Sequence, residues 1–133
     1  MNETSSSTVV KAALGTAFAA LIALAAITHL DEPLKRAAYN FGWAVPFLAG
    51  YIALNYAAAH IAKAGKHPDR LVRFTRIPCF VVGSIFWLQG ATAVLQHFPI
   101  PPIQIVTAKA VFAIVVTIAA VAMMGGRNKS EDD

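Results

Sequence analysis

A chain of 133 residues that is 57% hydrophobic and 14% charged departs far from a soluble domain, in which about 25% of residues carry charge. Mean hydropathy is +0.59. The net charge of +4 does not point to nucleic acid, because the basic residues lie between apolar stretches instead of forming one face; lipid headgroups and topology explain them better. A single cysteine, Cys79, rules out an internal disulfide and is a poor start for a metal site.

Residues 1–8 are polar and read as a disordered leader. A first membrane segment follows over residues 9–30, with Lys11 at its edge; a helix needs about 20 residues at 1.5 Å each to cross the hydrocarbon. Gly15, Ala19 and Ala23 fall four apart on one face, a spacing that lets a second helix approach closely. A cleavable signal peptide with its site near Ala23–Ala25 is the rival reading. The apolar run is too long for it, and Glu3 in the leader speaks against it.

The turn Asp31–Arg36 leads to a second segment over residues 39–62, with Tyr39, Phe41 and Trp43 at its start and Pro46 expected to bend it. Ala49, Ala53 and Ala57 form another small-residue stripe. Next comes a basic hinge over residues 63–76, with Lys63, Lys66, Arg70, Arg73 and Arg76 against the acid Asp69. Pro68-Asp69 is expected to be its turn, and Leu71, Val72 and Phe74 suit a short interfacial helix. Pro78 is expected to open the third segment, residues 77–98, along which Gly83, Trp87, Gly90, Val94 and His97 recur at steps of three and four. A proline turn separates it from a fourth segment, residues 103–124, and residues 125–133 form a polar tail.

Lys and Arg resist translocation and stay cytoplasmic. Lys11, the hinge cations, Arg127 and Lys129 fall on one side of a four-crossing plan, with only Lys35 and Arg36 on the other. The expected fold is thus an all-α integral membrane protein, four transmembrane helices in an up-down bundle. The expected location is the inner (plasma) membrane, with both termini and the hinge cytoplasmic.

Three groups of residues are candidates for chemistry. Lys109 is a charge inside a membrane segment, a functional candidate by default, although a lysine about two turns from the end of its helix can snorkel, and Asp31 or Glu32 could pair with it. Asn55 and Gln89 are amides within their segments; with Lys109 they could line a polar path of an oligomeric channel or transporter, or simply hydrogen-bond between helices. His29 and His97 end the first and third segments at similar depth, which would suit axial ligation of a haem b between them. No spacing of His, Cys or carboxylates suggests a metal site, and no nucleophile has its base nearby.

The plan of four helices with a last helix ended by Gly125-Gly126 resembles the DoxX-like small membrane proteins over most of the chain. That family's plan implies an acidic residue in the second helix; here Asn55 is the nearest polar group, and the long basic hinge is a second departure. The function expected from the residues is non-enzymatic: an accessory or assembly subunit without a cofactor. It would dock on other membrane subunits or on itself through its small-residue helix faces, among them Gly83 and Gly90. The hinge would contact lipid headgroups or an acidic partner.

Overall fold

The computed structural model describes residues 3–67 and 70–125. They form four helices, α1 (Glu3–Ala25), α2 (Glu32–Lys63), α3 (Arg70–His97) and α4 (Pro102–Gly125), with no strand among the described residues. Each helix holds a stretch long and apolar enough to cross a membrane, so by length and composition this is a multi-pass membrane protein.

The helices do not begin and end where hydropathy changes. α2 starts at Glu32 instead of residue 39, and α3 at Arg70 instead of residue 77. α1 starts at Glu3, so residues 3–8, which read as a disordered leader, are helical, and it stops at Ala25 instead of residue 30. Hydropathy marks only the part of a helix immersed in hydrocarbon, whereas backbone hydrogen bonding continues into the interface, where polar side chains are solvated. Leu71, Val72 and Phe74 therefore belong to the first turns of α3 and not to a separate interfacial helix, and Pro78 lies inside α3 instead of opening it. The turn at Pro68-Asp69, residues 1–2 and the tail beyond Gly125, with Arg127 and Lys129, lie outside the described residues.

The sequence sets the ends of α2 through specific caps. Asp31 stands in extended backbone just before the helix, and its Oδ1 accepts from the Leu34 amide at 3.0 Å. Pro33 and Glu32 occupy the first turn, where a fixed φ and a negative charge both favour helix initiation. At the other end Gly65 takes φ +72°, a conformation costly for a side chain with a Cβ. Its amide donates to the Ala62 carbonyl at 3.0 Å and the Lys66 amide to Ile61 at 3.2 Å, closing the helix by a Schellman motif. α2 runs on through Pro46, which is exposed.

Packing follows chain order: α2 and α3 share the most extensive contact, α1 lies on α2, and α4 touches α3 over a smaller area. The buried residues of α2 step by three and four through Leu34, Ala37, Phe41, Ala44, Leu48 and Tyr51, with Ala58 seven further on, in a heptad-like seam. α3 answers with glycines. A Cβ on Gly83 would stand 2.8 Å from Leu48 Cδ2, and one on Gly90 2.9 Å from Phe41 Cδ1. Where lipid surrounds the protein, no hydrophobic force drives helices together, so this close approach and its dispersion contacts hold the hairpin. The same antiparallel register puts Tyr51 against Phe80, with ring centroids 5.5 Å apart. α1 contributes Val10, Ala17 and Leu24, seven apart, to the core, and α4 joins through Val116, Ala119 and Met123 and through Phe112, stacked on Trp87 at 6.0 Å.

Candidate functional site

At each end of the α2–α3 seam the apolar series gives way to a polar pair. Toward the hinge, Asn55 follows Tyr51 by one turn of α2, and Arg76 precedes Phe80 by one turn of α3. Their side chains meet, with Arg76 Nη1 donating to Asn55 Oδ1 at 2.9 Å. Both residues are half-buried, and the guanidinium keeps further donors for other acceptors. At the opposite end His97 Nδ1 lies 2.5 Å from Asp31 Oδ2, the carboxylate that also caps α2. Arg76 and His97 are separated along α3 by a rise of about 31 Å, close to the ~30 Å thickness of a hydrocarbon core. A hydrocarbon slab fitted to the hairpin would thus have one polar clasp at each face.

The His97 hydrogen bond, followed by the Leu34 amide, holds the Asp31 carboxyl below its ordinary value of 3.8, and the charge of His97 acts in the same direction. A carboxylate depressed on folding contributes its stabilisation above the ordinary value and loses it as pH falls through the lowered one. The clasp is therefore expected to hold at neutral and mildly acid pH and to release only below 3.8. Thermal unfolding of wild type and Asp31→Asn, followed from pH 7 to pH 3 in detergent, checks this. Wild type should lose stability relative to the variant only in the acid limb. The two side chains are 41% and 44% exposed, so the effect is small.

The other expected site residues are scattered. Gln89 is exposed on α3, and Lys109 is exposed on α4 in a cleft near the start of that helix. Asn55 is held by Arg76 toward the other end. The carboxylates that could have answered Lys109 are otherwise engaged, Asp31 with His97 and Glu32 with Lys35. His97 pairs with Asp31 and not with His29, which is exposed in the α1–α2 connection. Among the described residues no three His, Cys, Asp or Glu side chains gather as they would around a metal ion.

Lys63, Lys66, Arg70 and Arg73 are exposed, and no carboxylate pairs with them among the described residues. Lys11 reaches the same end of the molecule, donating to the Tyr56 hydroxyl at 3.1 Å. The small residues divide into two sets. Gly83 and Gly90 are buried against α2, whereas Gly15, Ala19 and Ala23 on α1 and Ala49, Ala53 and Ala57 on α2 are exposed. A Cβ on Gly15 would meet nothing within 4 Å.

The sequence leaves Asn55 either on a polar path or in a hydrogen bond between helices, and the structure shows the second, with Arg76, a residue that the sequence assigns to the headgroups, as its partner. The sequence also offers Asp31 to Lys109 instead of His97. The signal that could have joined them is phase. Asn55 continues the three-four series of α2, and Arg76 and His97 continue that of α3, so each polar residue stands in a seam it had to close. The chain matches no known protein family, and no curated protein and no solved structure matches it.

Proposed function

We propose that this protein is a non-enzymatic accessory or assembly subunit of a membrane complex, docking through the outward small-residue faces of α1 and α2. The observation that carries this reading is the pair of small-residue stripes that the fold leaves exposed. Bulky side chains are exposed as well, Phe18 and Ile22 on α1 and Ile103, Val106, Ile114 and Ile118 on α4, as suits lipid chains. The outward stripes Gly15–Ala19–Ala23 and Ala49–Ala53–Ala57 are small, which leaves backbone open to close approach by another helix. On this reading the hinge lies on the cytoplasmic side of an inner (plasma) membrane, where its cations meet anionic headgroups.

Purification in mild detergent followed by native electrophoresis tests the proposal. Wild type is expected to migrate in an assembly larger than one chain. Ala19→Trp and Ala53→Trp should shift it to the single-chain position while leaving thermal unfolding unchanged, because both residues point away from the core. A wild-type protein that runs as a single chain, or an assembly indifferent to both substitutions, would sink the reading.

A further inference from the structure

We infer that the cleft between the end of α3 and the start of α4 binds an anionic phospholipid of the leaflet opposite the hinge, with the lipid phosphate on the Lys109 ammonium. The cleft measures about 320 Å³ and is lined by Gln96, Phe98, Ile100, Ile105, Val106 and Lys109. Lys109 lies about 10 Å along α4 from its first residue, at a depth where a charge without a counter-ion is costly. No carboxylate answers it among the described residues, since Asp31 is on His97 and Glu32 on Lys35, and α4 has no acid in its first turn. Helical side chains lean toward the N-terminus of their helix. The lysine stem therefore runs back past Ile105 and Val106, one turn earlier, toward the interface.

Those three residues share the cleft with Gln96, whose amide can donate to a second phosphate or ester oxygen. Phe98, Ile100 and Val106 supply an apolar wall for the first carbons of an acyl chain. The volume is at the small end of ligand sites, so it takes a headgroup phosphate and its nearest carbons while the rest of the lipid stays in the bilayer. A zwitterionic headgroup fits less well, because its own cation competes with Lys109 for the phosphate.

Native mass spectrometry of the full chain in detergent, titrated with phosphatidylglycerol or phosphatidylcholine of matched chains, reads this site. Phosphatidylglycerol should bind as a preferred single adduct, weakened about fivefold to tenfold in Lys109→Gln and retained in Lys109→Arg. Gln96→Leu should weaken it less, and Lys63→Gln, in the hinge, should leave it unchanged. Excess inorganic phosphate should not displace it. Equal binding of the two lipids, an unaffected Lys109→Gln, or a loss in Lys63→Gln as large as in Lys109→Gln would overturn the inference. Displacement by free phosphate would overturn it in favour of a soluble anion.

Discussion

Gly83→Leu is expected to open the α2–α3 hairpin. The Cβ alone would stand 2.8 Å from Leu48 Cδ2, 3.0 Å from Leu48 Cγ and 3.2 Å from the Leu48 backbone nitrogen. Leu48 is 1% exposed, so its side chain cannot turn out of the seam, and the backbone nitrogen cannot yield without moving α2. Inserting methylenes into such a contact costs about 1–3 kcal/mol where a core can adjust; here the helices must separate, so the upper end is expected. Gly90→Leu should behave similarly against Phe41, which is 3% exposed. Gly15→Leu supplies the control, because nothing lies within 4 Å of its Cβ position. Unfolding of each variant in mixed micelles, followed by the fluorescence of Trp43 and Trp87, should lower stability for the two α3 substitutions and spare the third. Equal stability of Gly83→Leu and Gly15→Leu would mean that the seam is not where the structure puts it.

Asn55→Leu is expected to destabilise the hinge end by about 1–3 kcal/mol, since it leaves a half-buried guanidinium without its acceptor. Arg76→Leu alone should cost less, because an uncharged Asn55 tolerates apolar surroundings better than an unpaired charge does. The double variant Asn55→Leu with Arg76→Leu should recover part of the loss, as two apolar side chains continue the seam between Tyr51 and Phe80. A double-mutant cycle measures the coupling. Neutral pairs between membrane helices average about 0.6 kcal/mol, so a coupling above that value is the mark of the charged donor. Additive single effects would show that Arg76 faces water and Asn55 gains nothing from it.

Both predictions concern contacts whose participants are visible in the sequence but whose partners are not. The glycines of α3 stand at regular steps in the chain, and their small size announces a close approach. Nothing in the sequence says that Leu48 and Phe41 are the residues approached. The same holds for the small residues of α1 and α2, which read identically as stripes but face away from the core. Spacing identifies a helix face, and only the arrangement of neighbours decides whether that face is inside or outside. Two small stripes of equal quality can therefore have opposite fates.

The polar residues divide in the same way. That Asn55, Arg76, Asp31 and His97 would need partners follows from the cost of leaving polar groups unsatisfied near hydrocarbon. Which partner each takes depends on the antiparallel register of α2 and α3, fixed by a series of apolar contacts between them. A shift by one turn would have separated both pairs. Lys109 is the converse case, a charge for which the described residues supply a cleft and no counter-charge.

By itself the sequence determined the all-helical class and the number of long apolar helices, because these depend on local hydropathy. It placed the starts of α2 and α3 too late, since the helical backbone continues past the hydrocarbon, and the end of α1 too late, since that helix stops at Ala25 inside its apolar run. The tertiary structure alone decided that α2 and α3 form the central hairpin, that Gly83 and Gly90 are its contact points and that a polar clasp stands at either end. Those are properties of pairs of residues far apart in the chain. The energy that selects them, dispersion at close approach and the satisfaction of polar groups, exists only once the helices have met.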